Sequence, residues 1–357
     1  MINFIQVLIL ILKTRAFNDK MKRVRFVFQP ILFVLLFISA VTVQAGAYPD
    51  FPVALKDGSG ALVGETVYAG LGSAGSQFYA LNLKQPKAEW QQVTDFPGGE
   101  RKQAIAVTLH DELYLFGGLQ ADQNGTLQLM NDVYRYQPSK KQWSKLATQM
   151  PQALIGASAI AYDDKIYLLG GEQQTSFNGE LLSYDPVDNQ WRNEGELPFA
   201  ARVGAAVINQ GEFLLVAGGA VSPNSHTAQT EQGCFTQQKA DKKTIEWKVL
   251  ADLPASQGKT QQGVSGAAAG YSNGYYLVAG GSSFVDQQIS NKIWHKEIYI
   301  LKNKRWKAIG ELSYASSYAV AVSYQDKLVM IGGETESGAA LSTVQTLYYD
   351  GSKLIIE

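Results

Sequence analysis

Two glutamates, Glu172 and Glu334, stand directly after Gly-Gly pairs, and two arginines, Arg101 and Arg202, stand just before strands rich in small residues. Carboxylates can take and give protons, and a guanidinium fork can hold an anion. A solvated surface role would use the same residue types. Other chemistry is less well supported. Gly70-Leu71-Gly72-Ser73-Ala74-Gly75 matches G-x-G-x-x-G, but a dinucleotide site needs a helix next. Gln77-Phe78-Tyr79-Ala80-Leu81 reads as a strand, so the glycines form a turn. Cys234 lies in a long polar segment with only His226 near it in sequence, and no signature of a cysteine nucleophile surrounds it. It reads as a free structural thiol. His110, in a turn, and His295, at a strand start, read as solvated or structural.

Composition narrows the classes further. One cysteine excludes a disulfide framework, and three histidines leave little for a His-rich metal centre. With 31 basic and 32 acidic residues there is no basic excess for a nucleic-acid partner. Abundant glycine and 11% aromatics do not describe a disordered chain.

The elements that carry these residues repeat. A short strand ending in Gly-Gly recurs at Leu113–Gly118, Ile166–Gly171, Phe213–Gly219, Tyr275–Gly281 and Leu328–Gly333, with a degenerate copy at Val67–Gly72. The last glycines are 46, 53, 48, 62 and 52 residues apart. A tryptophan marks the end of most units, at Trp90, Trp143, Trp191, Trp247 and Trp306, three of them seven residues after a tyrosine. A small-residue strand precedes each Gly-Gly strand, joined to it by a hairpin turn. Each unit therefore reads as four short antiparallel strands. Six such units predict an all-β, six-bladed propeller over residues 46–357, with no room for a second domain. Loops leaving the Gly-Gly strands and entering the first strands gather at the mouth of a propeller's central channel. The longest run over 119–130, 172–179, 220–239, 282–293 and 334–341. The final strand of the last unit is expected from Lys353–Ile356, or Pro52–Leu55 adds to that blade and locks the ring.

Residues 1–45 read as a leader with a cleavable export signal. Lys22, Arg23 and Arg25 precede an uncharged apolar run over 31–43, and Val43-Gln44-Ala45 resembles a cleavage site. The run is short for a membrane span, so no stable span is expected after cleavage, and Met21 is the more natural start. A single cysteine suits a bacterial periplasm. Residues 1–45 hold six basic residues and one acid, leaving 25 basic and 31 acidic residues in the exported chain.

Gly-Gly, Tyr and Trp at this period resemble the kelch repeat. Further stretches are more specific: Gly70–Ser76, Phe96-Pro97-Gly98-Gly99-Glu100-Arg101, Asn131-Asp132-Val133, Ser176–Gly179, Gly204–Val207 and Ile331–Thr335. Through them the chain resembles the kelch-class family of bacterial N-acetylneuraminate epimerases over nearly all of 50–357. The resemblance implies a periplasmic isomerase that interconverts the α and β anomers of sialic acid by ring opening, without metal or organic cofactor. It implies Glu334, Glu172 and His226 as candidates for proton transfer. Arg101 and Arg202 would hold the sugar carboxylate, and Gln103, Asn131, Asn178 and Ser73 would contact the remaining groups. The family's glutamate after the fourth Gly-Gly strand, and the arginine that follows it, are replaced here by Gly219-Ala220-Val221-Ser222-Pro223-Asn224-Ser225-His226-Thr227. His226 and Glu231 are the nearest substitutes. Tyr314-Ala315-Ser316-Ser317 stands where the sixth unit's arginine is expected. The other reading is a non-catalytic propeller that binds a glycan or an envelope protein.

Overall fold

The computed structural model describes residues 47–85, 87–239, 242–255, 263–284 and 292–357, with backbone alone at 237–239 and 242–243. The export signal expected over 1–45 lies outside the described residues. Six four-stranded antiparallel sheets follow one another along the chain. Their innermost strands are Ser59–Val63, Ile105–Leu109, Ser158–Tyr162, Ala206–Gln210, Ala268–Ser272 and Val320–Tyr324. These neighbour one another in cyclic order, the last beside the first, so the sheets are blades I to VI of a closed six-bladed propeller. Among the described residues no helix is long and apolar enough to cross a membrane.

Small residues at the start of each inner strand permit this closure. Glycines, alanines, serines and a few branched residues from all six blades line a central cavity of about 250 Å³. The second strand then runs outward-buried, as in Leu113-Tyr114-Leu115-Phe116, and stops at Gly-Gly. At Gly170 and Gly171 φ is 67° and 94°. A Cβ on Gly170 would sit 2.3 Å from the carbonyl oxygen of Arg202 in the next blade. Only glycine accepts both that dihedral angle and that approach.

The recurrent tryptophans join blades. Trp143 of blade II packs edge-on against Phe78 of blade I, centroids 5.3 Å apart, and its indole N–H donates to the carbonyl of Thr94. Trp191 of blade III meets Phe116 of blade II, and Trp247 of blade IV meets Phe199 at the end of blade III. Each such pair adds about 1 kcal/mol beyond its buried area. Trp90 of blade I packs instead on Phe51, in the segment entering the propeller.

That segment closes the ring by a route between the two expected. Leu354–Ile356 is the outer strand of blade VI, so no blade is shared between the chain ends. Phe51 and Leu55 nevertheless donate backbone N–H bonds to Ser342 and Leu341 of blade VI, and Gly333 donates to Leu55. The long segment after the fourth Gly-Gly also differs from expectation. Its second half, Thr230–Lys239, is the third strand of blade IV, paired with Phe213–Ala217. Cys234 lies in this strand opposite Phe213, not in a loop. The strand's marker tyrosine is absent: Gly233 stands opposite Trp247, where Tyr136 and Tyr184 stand opposite Trp143 and Trp191, and Phe235 fills the core two residues on.

Candidate functional site

The mouth of the channel is built from three aligned positions per blade. Just before each inner strand stands a residue with positive φ: Asp57, Gln103, Gly156, Gly204, Gly266 and Tyr318. Consecutive members are linked by backbone bonds. Gln103 donates to Asp57, Gly204 to Gly156, Gly266 to Gly204 and Tyr318 to Gly266. The residue ahead of each forms a bridge or backbone bond with the residue after the Gly-Gly turn. Ile155 thereby meets Glu172, Val203 meets Ala220, Ser265 meets Ser282 and Ser317 meets Glu334. Both glutamates are thus fixed at equivalent places on the rim.

Three glycines and three side chains divide the innermost ring. Gly156, Gly204 and Gly266 carry no side chain on the floor beneath blades III to V, and neighbours pack closely on each. Tyr318 lies across that floor: a Cβ on Gly266 would meet its ring at 2.8 Å, and one on Gly204 at 3.4 Å. Gln103 donates its amide N–H to Asp57 Oδ1 at 3.0 Å. The Tyr318 hydroxyl is 3.2 Å from Ser265 Oγ, and Ser265 Oγ is 3.0 Å from His226 Nε2. Burial, His295 and Lys292 push the His226 pKa down to about 4, so its ring is neutral near pH 7. Burial raises the Tyr318 pKa against the opposing Ser265 bond, with Asp57, Glu334 and Glu172 adding to the rise.

Hairpins from blades IV and V overhang this floor. Phe284, on Ser282–Phe284, lies 5.2 Å from the His226 ring. Lys292, on the paired strand Lys292–Trp294, sits 4.4 Å from the Trp294 ring and 5.7 Å from the Tyr318 ring. Its ammonium also pairs with Glu334 at 3.1 Å, while Lys56 reaches the other carboxylate oxygen at 3.4 Å. Two ammoniums flank one carboxylate at this corner, and Asp57 and Glu172 are also near enough to act on Tyr318. Side chains there are a quarter to a third exposed, so the lysines remain open to an anion.

The two arginines are placed otherwise than expected. Arg101 is 2% exposed and pairs with Asp132 at 2.7 Å, while donating to the carbonyl of Gly117 and lying over the Phe96 ring. Arg202 is 2% exposed, pairs with Glu231 at 3.0 Å, donates to Gly218 and lies over Phe199. Asn178 donates in the same way to the carbonyl of Gly170. All three satisfy the carbonyl of the first glycine in a Gly-Gly turn, a buried acceptor that would otherwise lack a donor. Neither guanidinium has a free face for a ligand. Burial raises the Glu231 pKa, opposed by the Arg202 pair.

The remaining candidates scatter. Ser73 is exposed and ties the turn Gly72–Ala74 to the entry segment, donating to Ala54 and accepting from Lys56. Asn131 donates to Met150 beneath the blade II hairpin. Glu334, Glu172, His226 and Gln103 are brought to the mouth. Tyr318, Ser265, Asp57, Lys56 and Lys292 join them unforeseen. The signal for two of these, Asp57 and Tyr318, was available: the column before the small-residue strands reads Asp, Gln, Gly, Gly, Gly, Tyr. Ala220 occupies the rim position of blade IV, where a glutamate was implied.

Comparison with known proteins follows this geometry. A family model described as N-acetylneuraminate epimerase matches residues 48–181 and 172–356. An N-acetylneuraminate epimerase of Haemophilus influenzae (strain 86-028NP) is 45% identical over 360 residues, spanning 88% of this chain and 95% of that protein. One from Pasteurella multocida (strain Pm70) is 39% identical, spanning 91% of this chain and 98% of its own length. The solved structure of YjhT superposes with a TM-score of 0.80 at 29% identity, over 87% of this chain and 99% of that one.

Proposed function

Because the chain belongs to the N-acetylneuraminate epimerase family, we propose that it interconverts the α and β anomers of N-acetylneuraminate or a closely related acidic sugar. Ring opening removes the anomeric hydroxyl proton, forms the carbonyl and breaks the ring C–O bond as the ring oxygen gains a proton. Reclosure on the other face reverses each transfer. The reaction needs a base, an acid and a cation for the sugar carboxylate. The observation that carries the reading is the corner where Lys56 and Lys292 flank Glu334 beside Tyr318 at the channel mouth.

In this reading Lys292 and Lys56 take the carboxylate role once expected of Arg101 and Arg202. Glu334 and Glu172 stand on the rim as proton acceptors, and Phe284 and Trp294 offer apolar faces to the sugar. The reading includes export to the periplasm, supported by the basic and apolar pattern of residues 1–45. A binding-only propeller is the second reading, favoured by Ala220 at the blade IV rim.

The test releases sialic acid as a single anomer with a sialidase and follows its approach to equilibrium by proton NMR. Faster equilibration with the full-length protein is expected. Saturable binding with no acceleration would leave the second reading standing instead.

A further inference from the structure

The rim position of blade IV holds Ala220 and no carboxylate, and the same quadrant holds a different device. Tyr318, Ser265 and His226 come from blade VI, blade V and the blade IV hairpin. Their polar atoms form a continuous chain, with His226 Nε2 3.0 Å from Ser265 Oγ and Ser265 Oγ 3.2 Å from the Tyr318 hydroxyl. Ser265 is 2% exposed, so its hydroxyl has few partners besides these two. Tyr318 is half-buried and its ring lies over Gly204 and Gly266.

We infer that Tyr318 is the acid that protonates the sugar ring oxygen, and that His226 and Ser265 are positioning residues that aim its hydroxyl into the mouth. This rests on the mutarotase reading. Either direction of the chain satisfies the distances, and the assignment takes the one in which the histidine donates. A neutral imidazole protonated on Nε2 donates to Ser265 Oγ, which leaves the serine proton to be donated to the tyrosine oxygen. The phenol proton then points away from Ser265, toward the mouth. When it passes to the ring oxygen, the phenolate keeps the Ser265 hydrogen bond and lies beside the Lys292 ammonium. The anomeric proton goes to a rim carboxylate. Reclosure returns both protons, so Tyr318 and the carboxylate end as they began and no other reactant is consumed.

Three features agree with this assignment. A phenol stays protonated throughout the neutral range, so its proton is in place when the sugar binds. The depressed basicity of His226 keeps it a neutral donor instead of a competing proton store. The positive φ of Tyr318, 55°, also calls for a reason, since half of the ring positions are glycine. Strained, non-glycine positions cluster where a side chain must be aimed.

The test measures kcat and KM for anomer exchange by NMR in wild type, Y318F, H226A and H226Q, with thermal melting of each. Y318F keeps the ring on Gly266 and removes only the hydroxyl. It is expected to lower kcat about 100-fold with KM within about threefold and an unchanged melting temperature. H226A is expected to lose about tenfold in kcat, and H226Q, whose amide N–H can still donate to Ser265, to recover most of it. Wild-type kcat in Y318F, or equal losses in H226A and H226Q, would overturn the assignment while the mutarotase reading stands. No acceleration by the wild-type protein would overturn both.

Discussion

Replacing Arg101 separates a structural arginine from a ligand arm. The guanidinium holds Asp132 at 2.7 Å and the Gly117 carbonyl at 2.7 Å, with the two side chains 2% and 5% exposed. Arg101→Met keeps the aliphatic stem and its contact with Phe96 but strands a buried carboxylate and a carbonyl. Removing one partner of a buried pair costs about 3–5 kcal/mol. Lys145, 3.5 Å from Asp132 Oδ2, offsets part of this, which favours the lower end, about 3 kcal/mol. For a domain of this size that corresponds to about 6–12 °C in melting temperature. The double variant Arg101→Met with Asp132→Leu removes both charges and is expected to recover most of the loss. The assay is thermal unfolding of the three variants beside sugar binding by calorimetry. R101M melting within a degree of wild type while losing sugar affinity would refute the reasoning and return Arg101 to the site.

Three further expectations follow from the mouth. K292M removes the ammonium that faces both Glu334 and Tyr318, so KM for an acidic sugar rises about tenfold while a neutral sugar's weak binding is unchanged; calorimetry with both ligands checks it. G266A forces a Cβ to within 2.8 Å of the Tyr318 ring at φ 64°, so it costs about 1–3 kcal/mol and slows exchange, read by melting and NMR. His226 has its pKa lowered to about 4 in the folded protein, against the ordinary 6.5. The unfolded chain therefore binds the extra proton first, and stability falls as pH drops from about 6.5 towards 4. The loss is at most about 3 kcal/mol, and about 2 after allowing for solvent at this half-buried ring. Urea titrations should show a smaller loss between those pH values in H226Q, and an equal loss would contradict the assignment.

The blades were legible because their determinants are local. Gly-Gly turns, small inner strands and tryptophans are set by steric demands within one unit and its neighbour, and they repeat six times. The third strand of blade IV was not, since Gly233 stands where Tyr136 and Tyr184 mark their strands and the Tyr-to-Trp spacing is lost. Arg101 and Arg202 were placed on the right elements, but their partners Asp132 and Glu231 lie 31 and 29 residues on. Nothing in the local sequence says that a positive charge at a strand entrance will be buried against a turn carbonyl. Tyr318, Ser265 and Lys292 meet because blades V and VI are neighbours, and ring closure adds Lys56, putting Lys56 and Glu334, 278 residues apart, at one corner. The rim itself could have been read from the aligned column before the inner strands, where three consecutive glycines stand between Gln103 and Tyr318, with Asp57 first.

The account turns on proton transfer at the channel mouth, and two-dimensional exchange NMR of N-acetylneuraminate at anomeric equilibrium tests it most directly. With catalytic amounts of the full-length protein, cross-peaks between the α and β signals should appear at mixing times where buffer alone gives none. They should fade about 100-fold with Y318F. Identical spectra with and without the wild-type protein would contradict the account.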